Sequence, residues 1–514
     1  SGCQNAPVTD LSANTDPFAR RAELYERLAV VPVAFSTNGR HVGFVGPLDA
    51  GIPVGGIAIV EHDDGHVAVH VHDVQLETRQ GTREIDAADD EMTIGFAMRH
   101  VRGSGVVIGL LTADGFAVAD QLRAFGERRV RAATDDEVGR IMGALDGDAA
   151  TITIGTVRGS GGLPARLRSK GFARHTFMCG QSGSGKTYTT GVLFERLLAH
   201  SSLPMVIIDP NSDHVHLGDL ADPDATTPEA ELYRRVAPSV LVARTRGLPS
   251  TVRLCVDFSD LDVDVQAALL RLDPIADLDD YAALRAVTER LEAPYSVVDV
   301  ARLAAHDPVT SPITRRIENL GIDRWSVWRT EGEQSVTQLD PLGLRCVIVD
   351  TGSLAGPDER AAISMAILGN RWKQRRERQP VLLAIDEAHN VLPSSTNNPL
   401  LRRATETGVL IAGEGRKFGL HLFLASQRPG KVHPGVLSQC DNLVLMRMNG
   451  AGDVADLEET FSHVPPMLLR ESLGFGLGQA LFAGRLAPFP VFALVGTPLT
   501  PEGGGDVPTP WTAA

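Results

Sequence analysis

One octapeptide limits what this chain can fold into more than any other feature: Gly180-Gln181-Ser182-Gly183-Ser184-Gly185-Lys186-Thr187. The apolar run Phe177-Met178-Cys179 precedes it, and a helix-compatible segment, Tyr188 to His200, follows it. Strand, glycine-rich loop and helix in that order let a backbone wrap phosphates with its N–H groups at the positive end of a helix. The pattern predicts an α/β layer fold with a nucleotide at the strand ends. ATP is the expected ligand, held by Gly180, Ser182, Gly183, Ser184, Gly185, Lys186, Thr187 and Tyr188. Lys186 is expected to reach the β- and γ-phosphates, and Thr187 to hold Mg²⁺.

A second apolar run, Val381-Leu382-Leu383-Ala384-Ile385, delivers Asp386 and Glu387 at its end. An adjacent acidic pair beside phosphates suits hydrolysis: Asp386 as a Mg²⁺ ligand through water, Glu387 polarising the attacking water. A third run ends in Ala425-Ser426-Gln427-Arg428-Pro429, where Gln427 is the candidate sensor of the γ-phosphate. Upstream, Glu414-Gly415-Arg416-Lys417-Phe418-Gly419 offers a cation to a neighbouring subunit's nucleotide, the function of an arginine finger. The spelling Asp386-Glu387-Ala388-His389 also occurs in DEAH-box helicases, but Ser426-Gln427-Arg428-Pro429 does not match their third motif.

At 514 residues the chain exceeds one compact core. Residues 1–21 read as a flexible arm. Residues 22–145 read as a β-barrel: Ile57 and Ile59 alternate, Asp63-Asp64-Gly65 makes a turn, and Val67, Val69 and Val71 alternate again. From 146, strands alternate with helices, and Met205 to Ile208, Cys346 to Val349 and Leu420 to Ala425 read as buried parallel strands. A helical insertion is expected over 223–337, dividing the ATPase core into 146–222 and 338–496, with a tail at 497–514.

His66, His70 and His72 fall on one face of the second hairpin strand, with His62 across the turn. The expectation is a solvated outer face opposite a valine core, since no cysteine or acidic ligand recurs at metal spacing. Cys3, Cys179, Cys255, Cys346 and Cys440 form no CxxC pair, which fits a reducing cytoplasm. No apolar run approaches the roughly 18–20 residues of a membrane helix, so no membrane partner is expected. The formal charge of −15 excludes a protein that coats DNA with a basic surface, though not a ring with a few basic residues at its pore. Arg402-Arg403, expected in a loop after the acidic pair, are the pore candidates, whereas Arg371, Lys373, Arg375, Arg376 and Arg378 read as a solvated helix face.

The ordered set Gly180–Thr187, Asp209-Pro210-Asn211-Ser212-Asp213, Asp386–His389, Gly415–Gly419, Ser426–Pro429 and Leu437-Ser438-Gln439-Cys440-Asp441 resembles the HerA branch of the HerA/FtsK ATPases. Gly484 to Pro488, Thr500 and Gly503-Gly504 resemble that family's closing segment. The resemblance implies a RecA-like P-loop core joined to a HerA–ATP-synthase-type barrel, assembled as a homohexamer that translocates double-stranded DNA through a central pore. It implies catalysis by Lys186, Thr187, Asp386 and Glu387, with Gln427 as sensor and Arg416 as trans finger. Lys417 is the runner-up, and Arg174 matches another basic position. It further implies a partner effector, a nuclease such as NurA or a sirtuin-type enzyme, docking on the barrel in DNA end processing or antiviral defence. The family's Asp-Pro-His-Gly-Glu stands here as Asp209-Pro210-Asn211-Ser212-Asp213, with the last carboxylate one methylene shorter. An ATP-gated scaffold that regulates an effector without processive translocation is the alternative reading.

Overall fold

The computed structural model describes residues 31–62, 65–87, 90–120, 122–245, 251–339 and 341–503. The expected arm, the turn residues Asp63 and Asp64, Cys3 and the tail beyond 503 lie outside the described residues. The chain divides into two compact units between Leu145 and Asp146.

The first unit is a barrel of antiparallel strands: β1 (Val33–Ser36), β2 (His41–Gly46), β3 (Ile57–Val60), β4 (His66–Ala87), β5 (Asp90–Thr112), β6 (Gly115–Val118) and β7 (Phe125–Ala132). They run β2-β1-β7-β3-β4-β5-β6, and pairing of β2 with β5 closes the first six. Closure leaves no unpaired edge among those six. Val42, Phe44, Val60, Val67, Val69, Val71 and Val107 fill the interior. The β4–β5 register slips between Ala68 and Val69 and again between Val71 and Asp73. Each slip breaks the period of two, which corrects the expected single solvated histidine face. His66 is exposed, His70 is buried, and His72 Nε2 stands 3.1 Å from His70 Nδ1. Among the described residues no three His, Cys, Asp or Glu side chains converge as a metal site.

The second unit is built on one sheet. Its strands are β8 (Thr151–Val157), β9 (Pro164–Arg168), β10 (His175–Cys179), β11 (Met205–Asp209), β12 (Val240–Arg244) and β13 (Thr251–Arg253). Then come β14 (Cys346–Asp350), β15 (Val381–Ile385), β16 (Leu420–Ser426), β17 (Cys440–Leu445), β18 (Gln479–Ala483) and β19 (Val491–Val495). The order is β13-β12-β14-β11-β15-β16-β10-β17-β18-β19-β8-β9. Strands β13 through β17 in that order are parallel, and the remainder antiparallel. Every residue of β10, β11, β14, β15 and β16 is buried, as expected for strands covered on both faces.

The stretch 223–337 contains the helices Val263–Leu269 and Leu278–Thr288 near the expected positions. It also contributes β12 and β13, so part of it belongs to the main sheet, where β12 pairs with β14. Four apolar residues, Val240 to Ala243, carry β12, too few to stand out between helical segments. No helix among the described residues is long and apolar enough to cross a membrane.

After β19 the chain returns across helix α1 (Lys186–His200). Glu195 of that helix is fully buried. Its carboxylate accepts the amides of Leu499 at 2.9 Å and Thr500 at 2.8 Å, and the Thr500 hydroxyl at 2.6 Å. Gly503 N then donates to Asp213 O at 2.9 Å. The first residues of the expected tail therefore form a strap. Glu195→Ala leaves these donors without a buried partner, at about 1–3 kcal/mol each. Hydrogen exchange at the Leu499 and Thr500 amides is expected to accelerate about tenfold or more; unchanged rates would show that other contacts hold the strap.

Candidate nucleotide site

Because β16 lies between β10 and β15 in the sheet, the glycine loop, the acidic pair and Gln427 emerge side by side. Gly183 and Gly185 take left-handed backbone, φ +70° and +89°, which a Cβ would strain. The loop then feeds α1 with Lys186 as its first residue. Lys186 Nζ lies 2.6 Å from Asp386 Oδ1 and 3.1 Å from Glu387 Oε1, with all three side chains buried. Burial opposes the ammonium charge, but the two carboxylates outweigh it and hold the Lys186 pKa above the usual lysine value. Burial likewise raises the Asp386 pKa while Lys186 lowers it, and the net result lies below the ordinary aspartate value. Taking one partner from a buried pair costs about 3–5 kcal/mol, so this cluster strongly constrains the site.

Glu387 itself is left-handed, φ +43°, a conformation that a non-glycine residue holds only when its surroundings enforce it. Gln427 Nε2 donates to Glu387 Oε1 at 2.8 Å. His389 Nδ1 lies 3.3 Å from Glu387 Oε2 and 3.0 Å from Ser426 Oγ. Gln427 thus holds Oε1, while Oε2 is buried near His389 without a hydrogen-bond partner among the described residues. In the sequence His389 stands three residues after Asp386, and that spacing is the signal for this contact.

Opposite the acidic pair, the Thr187 hydroxyl donates to Asp213 Oδ2 at 3.3 Å. Asp213 has a raised pKa, first from burial and then from Asp209. Asp209 is buried and accepts the amides of Asn211 at 3.2 Å, Asp213 at 3.1 Å and His214 at 2.8 Å. It shapes the loop. Asp386 Oδ2 is buried with no hydrogen-bond partner among the described residues. That oxygen and the Thr187 hydroxyl are hard donors that would hold Mg²⁺, which would supply positive charge to offset that of a bound triphosphate. A cleft of about 680 Å³ opens here, lined by Gln181, Lys186, Thr187, Tyr188, Asp213 and Gln427, with Leu477 and Leu494 forming an apolar wall. Arg447, not singled out from sequence, donates to Gly183 O at 3.1 Å.

Arg416 is not brought to this cleft. It lies in the turn before β16, 3.3 Å from Asp441 Oδ2, and Arg174 holds the same oxygen at 2.9 Å. The seven residues of β16 separate that turn from Gln427, about 20 Å of extended chain. Lys417 is exposed beside Arg416. Arg402 and Arg403 are not in a loop, which corrects that expectation. They belong to the helix α2 (Pro399–Glu414), whose start is set by the Asn398 side chain capping Leu400 N and by Pro399 in the first turn. In the Arg371 run, Lys373 pairs with Asp262 at 2.7 Å and Arg375 stacks 4.2 Å from the Trp372 ring.

Fold and site together define a P-loop ATPase. Residues 152–306 match the family model for the central domain of helicase HerA. The probable DNA double-strand break repair helicase HerA of Methanocaldococcus jannaschii is 33% identical over 112 residues, covering 22% of this chain and 22% of that protein. The corresponding helicase of Sulfurisphaera tokodaii is 24% identical over 399 residues, covering 71% of this chain and 72% of that protein. Among solved structures, VirB4 of Thermoanaerobacter pseudethanolicus is similar with a TM-score of 0.47 at 15% identity, covering 68% of this chain and 97% of that one. The chain is thus similar to HerA helicases, over residues 152–306 by the family model and over most of its length by the Sulfurisphaera tokodaii protein.

Glu387→Gln is expected to retain ATP binding and lose turnover by about 10²–10⁴-fold, the usual contribution of a positioned base. Fluorescent-nucleotide binding beside steady-state phosphate release measures both; turnover close to that of the unmodified chain would remove Glu387 from this role.

Proposed function

We propose that the chain is one subunit of a homohexameric motor that hydrolyses ATP with Mg²⁺ and drives double-stranded DNA through a central pore. The observation that carries this reading is the distance between Arg416 and the Lys186 pocket. The two stand at opposite ends of the same strands. An arginine turned away from its own nucleotide site can serve a neighbour's, so hydrolysis would await subunit contact. Lys186 would bind the β- and γ-phosphates, Thr187 and Asp386 the Mg²⁺. Glu387, aligned by Gln427, would accept a proton from the attacking water, and Arg416 of the next subunit would offset charge developing on the γ-phosphoryl.

The DNA substrate is supported by the relatives, which are named as DNA double-strand break repair helicases. An effector partner, a NurA-like nuclease or a sirtuin-type enzyme docking on the barrel, extends the same reading to end processing or antiviral defence. Four buried cysteines present as free thiols fit a cytoplasmic protein. The net charge of −15 favours one competitor, an ATP-gated scaffold that assembles an effector without translocation.

Linear duplex DNA is expected to raise steady-state ATPase activity severalfold, with the stimulation falling as salt rises because phosphate contacts release counterions. Hydrolysis indifferent to nucleic acid at every salt concentration would favour the scaffold. Mixing Arg416→Ala subunits with Lys186→Ala subunits should restore part of the activity that each lacks alone. Well-formed mixed rings that stay inactive would count against action across the interface.

A further inference from the structure

Strand β12, supplied by the stretch that interrupts the ATPase core, ends on Arg244 at the same sheet edge as the nucleotide site. Its neighbour β14 ends on Asp350, which is fully buried. Arg244 Nε lies 3.1 Å from Asp350 Oδ2, an ion pair without hydrogen-bond alignment. The other carboxylate oxygen accepts Ser212 Oγ at 2.7 Å and Ser353 N at 3.2 Å.

Ser212 belongs to the Asp209–Asp213 loop and takes left-handed backbone, φ +62°. A serine holds that conformation only when its surroundings enforce it, and the bond to Asp350 is such a restraint. The chain after β14 packs closely on the same loop. Thr351 Oγ1 donates to Asp209 O at 3.2 Å, and a Cβ on Gly352 would come within 2.7 Å of Ser212 Oγ. Thr245, next to Arg244, binds Ser353 through its amide at 3.1 Å and its hydroxyl at 2.8 Å. One residue beyond Ser212 is Asp213, the carboxylate that receives the Thr187 hydroxyl.

We propose that Arg244 and Asp350 are positioning residues for the metal side of the ATP site, holding the Asp209–Asp213 loop so that Asp213 meets Thr187. The interrupting stretch is then a working part of the nucleotide site, and whatever moves it alters the grip on Mg²⁺-ATP. The inference rests on the ATP·Mg²⁺ reading of the cleft.

The test is equilibrium binding of N-methylanthraniloyl-ATP to the full chain, in Mg²⁺ and in excess EDTA. Arg244→Met and Asp350→Asn are expected to weaken binding in Mg²⁺ by about tenfold or more, the usual effect of losing a group that orients metal ligands. Binding in EDTA should stay within about twofold of the unmodified chain, because the glycine loop and Lys186 are untouched. Since Arg244→Met leaves a buried carboxylate without its counter-charge, the paired Arg244→Met/Asp350→Asn variant is measured beside the single ones. A folded variant with unaltered Mg²⁺ dependence overturns the proposal, as does an equal loss in both conditions, which would mark general damage. An unmodified chain that binds equally well with and without Mg²⁺ overturns the reading of the site and the proposal with it.

Discussion

A buried ammonium between two buried carboxylates sets the terms for the rest of this molecule. Lys186 and Asp386 stand 200 residues apart in sequence yet 2.6 Å apart in space. Three such charges stay out of water only if each is paired and the geometry is close. The sheet order supplies that geometry, with β16 between the two strands that carry them. A triphosphate brings further negative charge to the same lysine. In the proposed reading it would compete with Asp386 and Glu387 for Lys186, and a carboxylate so released would be free to take another partner. Gln427 and His389 matter in that setting because they contact Glu387 independently of the lysine.

Three segments distant in sequence meet at this end of the sheet. The Asp209–Asp213 loop carries Asp213, the carboxylate that receives the Thr187 hydroxyl. Strand β12 is linked to the loop through Asp350, and the strap at 498–503 reaches it through Gly503. The strap is fixed from behind by Glu195, which lies on the same helix as Lys186 and Thr187. Displacement of α1 by nucleotide would thus be felt by loop and strap together, since dense packing transmits strain rather than absorbing it.

The parts legible in the sequence were those where one short segment determines its own geometry. A glycine loop between strand and helix needs no distant partner to be recognised, and five apolar residues ending in Asp386-Glu387 can only be a buried strand presenting charge. The alternating isoleucines Ile57 and Ile59 and valines Val67, Val69 and Val71 disclose a hairpin for the same reason. What the sequence does not disclose depends on pairings made elsewhere. The slips at Ala68 and Val71 are set by β5, so the histidine face could not be read from β4 alone. Strand β12 is defined by lying next to β14 more than 100 residues later, and its four apolar residues resemble a helix face as easily as a strand. Arg402 and Arg403 lie in a helix rather than a loop because α2 starts earlier than its charged residues suggest. Asn398 and Pro399 were the cues. Glu195 reads as an ordinary helix acid until the returning strap covers it.

The arrangement of Arg416 also bears on how an acidic protein can handle a polyanion. Arg416 shares the Asp441 carboxylate with Arg174, so one anion restrains two guanidinium groups in the isolated chain. Side chains held in this way lose less conformational entropy on meeting a phosphate than free ones would. The exposed geometry keeps the pairing weak, about 0–1 kcal/mol for such surface contacts. In the proposed ring a neighbour's triphosphate, with several negative charges, would outcompete a single carboxylate for them. The same economy would suit the pore of the proposed ring: each basic residue recurs once per subunit, so a few arginines per chain would create a local positive field inside a molecule whose net charge is −15 per chain. Net charge describes solubility and long-range repulsion, while the positions of individual cations decide what is gripped.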